Sequence, residues 1–279
     1  MRRTRRVILA AVFALLGATA MLLAASDASS ARGVHIDVKG TVRRQPQLLD
    51  ATLSSVHSAP ADHAQLYFVG FAGYGAQSVF KREVVAVRRL FDEKFGTRGR
   101  SVALINHWST LSSVPLATVS NLDRVLHHVG GLMNPERDTL FLFLTSHGEE
   151  NLLEVQMPGF RLRNLTPQLL KAMLDDSGIK NRVIVVSACH SGSFISDLAD
   201  ATTLVITAAR ADRTSFGCED RRRWTYFGDA YFNRSLRHDS SFTRAFQSAR
   251  RLINLWEMRD RLLPSLPQSA GGEALALGN

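Results

Sequence analysis

The chain has 279 residues, 45% of them hydrophobic and 21% charged, with a formal charge of +9. This balance excludes a disordered or fibrous chain and provides for one packed core of about 200 to 250 residues. Four of the positive charges, on Arg2, Arg3, Arg5 and Arg6, belong to the extreme N-terminus; the remaining +5 is scattered, as in Arg88 with Arg89 and Arg221 to Arg223, without the interleaved aromatics of a nucleic-acid-binding face.

After those arginines comes VILAAVFALLGATAMLLAA, residues 7 to 25, an uncharged apolar run. Residues 1–30 are therefore expected to be a signal peptide or an N-terminal membrane anchor. The run lies between a cleaved export segment and a spanning helix in length, so both outcomes stay open. Thr4 to Leu9 also resembles a twin-arginine export pattern. Either way the bulk of the protein is expected outside the cytoplasm: periplasmic or secreted if the leader is cleaved, membrane-anchored if not. Residues 31–62 show no sustained hydrophobic period and read as a linker or N-terminal arm, with the globular domain over 63–279.

From there strands and helices alternate. AQLYFVG at 64–70 predicts a first strand, followed by the glycines Gly70, Gly73 and Gly75. Phe80, Val84, Val87 and Phe91 repeat at helical spacing, and Gly96 closes that helix. SVALIN at 101–106 predicts a second strand, and 118–129 a helix. FLFL, ending in Thr-Ser-His-Gly, is a third strand; LLEVQM at 152–157 is a short hairpin partner; Thr166 and Pro167 open another helix as N-cap and N1. VIVVSA and TLVITAA at 203–209 supply two more strands, and Phe242, Ala245, Phe246, Ala249, Leu252, Ile253 and Trp256 mark one face of a long terminal helix. The order predicts a three-layer α/β domain, its mostly parallel central sheet flanked by helices.

Two strands end in reactive side chains. FLFLTSHG stops at His147 and Gly148, and VIVVSACHSGS stops at Cys189. Groups placed where parallel strands end sit at the sheet rim, where such folds bind ligands. A cysteine is already partly ionised near neutrality, and an adjacent histidine can protonate a departing amine. The N–H groups of Gly148 and Cys189 are candidates for an oxyanion hole. Ser191 and Ser193 lack the glycine spacing of a serine-hydrolase elbow, and His190 adjoins the cysteine too closely to serve as its base. His127 and His128 have no metal-ligand spacing around them, and no cofactor is expected. Cys218 is expected to be a separate thiol rather than the partner of Cys189 in a disulfide.

The blocks FLFLTSHG and VIVVSAC, with TAARADRTSFGCED and RRRWTYFGDAYF at 207–232, resemble the legumain-type cysteine peptidases. These form the C13 family of the caspase-like clan, and the likeness, to a bacterial-type member, runs from about residue 65 to about 255. It implies a caspase-like fold and an endopeptidase acting on a protein or peptide through an acyl-enzyme, with His147 and Cys189 as the dyad and Gly148 in the oxyanion hole. It also implies Ser215 and Asp229 as substrate-binding residues. The chain departs from the pattern twice. Ala72 precedes Gly73 where the family has an Asn that orients the histidine, and 74–80 lacks the Arg-His pair of the asparagine pocket. A preference for asparagine is therefore not implied, and a transamidase or a non-catalytic scaffold of the same fold stands as the alternative.

Overall fold

A computed structural model of the chain describes residues 36–58 and 63–275. The expected leader and its apolar run at 7–25 lie outside the described residues. Among the described residues no helix is long and apolar enough to cross a membrane.

The first described element is a helix within the stretch expected to be a linker or arm. Residues 38–54 form helix α1 (Val38–Ser54), N-capped by the Asp37 carboxylate, which accepts the Gly40 N–H at 2.8 Å. Leu49 and Leu53 of α1, with Val56 beyond it, are buried in the core. Pro46 stands inside the helix, and the mixed polar face around it hides the helical period.

The chain then runs through β1 (Leu66–Ala72), α2 (Ser78–Lys94), β2 (Ser101–Ile105), α3 (Val119–Leu132) and β3 (Thr139–Thr145). A short hairpin of β4 (Gly148–Glu149) and β5 (Leu152–Leu153) follows, then α4 (Pro167–Asp176), β6 (Asn181–Ser187), α5 (Ile195–Leu198) and β7 (Thr203–Thr207). The final stretch holds α6 (Tyr226–Gly228), a π-wound segment Asp229–Ser235, α7 (Leu236–His238), α8 (Phe242–Arg259) and β8 (Gln268–Ala270). The main sheet has the order β2-β1-β3-β6-β7-β8. Its ladders are parallel except the last, where β8 runs antiparallel to β7 with Thr207 opposite Gln268. The three-layer α/β architecture expected from the alternation is present. The edge strand β8 was not foreseen, because Gln-Ser-Ala carries no hydrophobic signal.

Both faces of the sheet are covered, which is why its strands read as continuous apolar runs. Leu140, Leu142 and Leu144 of β3 face the layer of α1, α3, α4 and α5, while Phe141 and Phe143 face the layer of α2 and α8. The same alternation puts Ile184 and Val186 of β6 on the first face and Val183 and Val185 on the second.

One fully buried side chain in this interior is ionisable. Glu83, on the sheet-facing side of α2, has no exposed surface. Its carboxylate accepts the N–H and hydroxyl of Thr225 at 2.7 and 2.8 Å and the hydroxyl of Thr145, the last residue of β3, at 2.9 Å. Burial outweighs these donors and pushes its pKa up to about 7. An acid whose folded-state pKa is raised contributes stability that is complete below the unfolded value of 4.5 and lost as pH rises through about 7. Between pH 4.5 and 8 this group should therefore cost the fold about 3 kcal/mol. Glu83→Gln should flatten that slope in thermal melts taken across the range; a variant with the wild-type slope would show that Glu83 does not titrate there.

Candidate active site

Strand register brings the two reactive ends together. Thr145 of β3 is paired with Ser187 of β6, so His147 and Cys189 each stand two residues beyond the same rung. Ala72 of β1 is level with Thr145, and the β1–α2 loop therefore leaves the sheet beside them. His147 and Cys189 line one narrow recess of about 20 Å³. Phe80, Ser146, Ser187, Ala188, Ser215, Phe216, Cys218 and Thr225 complete its walls.

The histidine is held on three sides by that loop and the start of α2. Its ring meets Tyr74 edge-on at 4.6 Å between centroids and Phe80 at 5.2 Å. Its Nε2 lies 2.7 Å from Oε1 of Gln77. A carbonyl oxygen can only accept, so this contact puts the imidazole proton on Nε2 and leaves the Nδ1 lone pair available. Burial lowers the pKa of His147 below its usual 6.5, which keeps the ring neutral at neutral pH.

The segment after the histidine is fixed by backbone contacts. Ser146 donates its hydroxyl to the Glu154 carbonyl at 2.6 Å, and the Glu154 N–H returns to the His147 carbonyl at 3.0 Å. Two glycines make this packing possible. A Cβ on Gly73 would lie 2.6 Å from the Glu154 carbonyl, and one on Gly148 would lie 2.6 Å from the Cys189 carbonyl. Gly148 thus lets the His147 strand end and the Cys189 turn approach each other.

Cys189 is partly exposed, and its sulfur accepts the N–H of Ser215 at 3.3 Å. The next residue, His190, turns the chain in a left-handed conformation with φ of 57°. Its Nδ1 is 2.8 Å from the Ala211 carbonyl, which directs the ring away from the thiol. Ser193 donates to the His190 carbonyl at 2.7 Å and accepts the Asn151 N–H at 2.9 Å, a role in holding the loop. Cys218 lines the same recess as a free thiol; burial raises its pKa, with the Cys189 sulfur adding to the effect.

The structure therefore gathers His147, Gly148, Cys189 and Ser215, but not Asp229. Asp229 opens the π-wound segment and faces a separate concavity shared with Tyr226, Arg234, Trp256 and Arg259. Its carboxylate accepts from Asn233 at 2.6 Å and from Arg234 at 3.2 Å. Thr225, four residues earlier, lines both the recess and this concavity, whereas Asp229 lines only the latter of the two. Sequence reading also passed over Gln77 and Tyr74. Gln77 stands at the N-cap position of α2 without capping it, and that idle polar side chain just before a helix was the available signal.

Glutamate at position 77 would place a carboxylate against Nε2 and favour the imidazolium. In an NMR titration of the His147 ring, Gln77→Glu should raise the pH of half-protonation by about 1 or more. No rise would mean that the Gln77 contact does not form in solution.

The Peptidase C13 family profile matches residues 120–273, more than half of the chain, including both His147 and Cys189. Among solved structures, caspase-1 from Spodoptera frugiperda shares the fold with a TM-score of 0.54 at 10% sequence identity. That similarity covers 78% of this chain and 88% of the caspase. No curated protein matches.

Proposed function

Because the chain belongs to the peptidase C13 family, we propose that it is a cysteine endopeptidase whose nucleophile is Cys189 and whose base is His147. The observation that carries this reading is the level exit of the two side chains from adjacent parallel strands into one recess, with the Ser215 N–H on the sulfur. Cys189 Sγ attacks the scissile carbonyl carbon while Nδ1 of His147 takes the thiol proton. The N–H groups of Gly148 and Cys189 receive the charge that develops on the carbonyl oxygen. When the C–N bond breaks, His147 returns its proton to the departing amine, leaving a thioester on Cys189. Water then attacks the thioester, again deprotonated by His147, and the acid product leaves as the thiol is restored.

In this scheme Gln77 orients the base, the task that the Asn of the family pattern performs and that Ala72 cannot. Cys189→Ala and His147→Ala should each abolish peptide hydrolysis while the far-UV spectrum and melting transition remain. Gln77→Ala should lower kcat about ten- to a hundredfold with a smaller effect on KM. A purified Cys189→Ala variant that still cleaves peptide would sink the proposal. A product in which an added amine replaces water would instead identify a transamidase.

The recess also speaks to the residue preceding the cut. Its walls are Phe80, Phe216, Ala188 and Cys218 with Ser146, Ser187, Ser215 and Thr225, and among the described residues no ionisable group other than the neutral His147 and the two thiols lines it. A small uncharged side chain suits such a pocket, since a charged one would be desolvated without a partner. Cleavage profiling on a denatured proteome should show alanine- or serine-sized residues before the scissile bond; a preference for Asp, Lys or Arg would contradict it.

A further inference from the structure

A second concavity, of about 730 Å³, opens on the outer side of α2. Five cations line it, Lys81, Arg82, Arg89, Arg223 and Arg237, against the single carboxylate of Glu93. Glu93 is engaged by Arg89 at 2.7 Å. Among the described residues, the exposed side chains of Arg223 and Arg237 have no hydrogen-bond or ion-pair partner. Arg82 donates through Nη2 to the backbone carbonyls of Asp220 and Arg222, while its Nε is buried without a partner. Lys81 donates to the neutral Ser109 hydroxyl at 3.0 Å, and its ammonium pKa is lowered first by burial and then by the neighbouring Arg82, with the Asp220 carboxylate acting in the opposite direction. Positive charges crowded around one cavity repel each other, and an anion entering it relieves that repulsion. Guanidinium groups suit carboxylates in particular because they donate two parallel hydrogen bonds.

The position of the cavity indicates where such carboxylates would come from. Two stretches of chain serve both concavities: Phe80 lines the thiol recess and Lys81 and Arg82 line the cationic one, while Thr225 lines the recess and Arg223 and Trp224 the cavity. The two concavities thus border the same two segments, one at the start of α2 and one just before α6, so the residues flanking a bond held at Cys189 are the natural source of an acidic ligand. Trp224 with Val85 and Leu90 offers apolar wall between the cations. A nucleic-acid strand would require a succession of aromatic platforms, and here there is one.

We propose that this cavity is an exosite that binds an acidic segment of the polypeptide being cleaved, a reading that rests on the peptidase assignment. Binding can be measured apart from turnover, with the full chain carrying Cys189→Ala and a fluorescent hexaglutamate peptide as probe. The peptide should bind, weaken as salt is raised from about 50 to 500 mM, and lose at least tenfold in affinity in the Arg223→Glu, Arg237→Glu double variant. In the active protein, a substrate with an acidic flank should show a higher kcat/KM than the same substrate with a serine flank, and the double variant should bring that ratio close to one. Absence of hexaglutamate binding overturns the exosite without touching the peptidase reading. Binding that brings no preference for the acidic flank overturns its role in substrate capture. Equal binding of a single-stranded oligonucleotide, lost in the same double variant, overturns the choice of a peptide ligand.

Discussion

The recess depends on a buried carboxylate whose partners are all neutral. Glu83 joins the last residue of β3, the sheet-facing side of α2 and the turn at Thr225. From these segments come His147, two residues past Thr145; Phe80, about one helical turn before Glu83; and Thr225 itself. Oε2 of Glu83 has the Thr145 hydroxyl as its donor, so loss of that hydroxyl would leave a carboxylate oxygen unsatisfied at zero exposure, which is among the costlier defects a fold can carry. The walls of the site are thus tied together beneath it by one side chain.

Above that anchor, the histidine is constrained by shape as well as by hydrogen bonding. Tyr74 and Phe80 pack against it at near-perpendicular ring angles and Gln77 Oε1 accepts its Nε2–H, so rotation that would swap the two nitrogens meets both a steric and a polar barrier. A ring that burial keeps neutral, with its proton on Nε2, has a free Nδ1 lone pair, as the proposed general base requires.

Much of this was legible in the chain because burial and chemistry coincide in the same short runs. FLFL and VIVV are apolar at every position since both faces of a covered parallel sheet are dry, and the reactive residues follow them directly. What stayed hidden depends on approach through space. Gln77 acts on a residue 70 positions away. Asp229 and Thr225 lie one turn apart, and only the path of the chain through α6 decides which of them reaches the thiol. Helix α1 escaped notice because Pro46 and its polar neighbours interrupt the period, although Leu49, Leu53 and Val56 already carried the spacing of a buried stripe.

The short antiparallel strand β8 closes one side of the main sheet. By pairing with Val205 to Thr207 it occupies backbone groups that would otherwise form the open margin of a strongly apolar sheet. An uncovered margin of that kind is a template for a strand from another chain. Three residues of low hydrophobicity, Gln268 to Ala270, thereby act as a short polar cover over the apolar margin of the sheet.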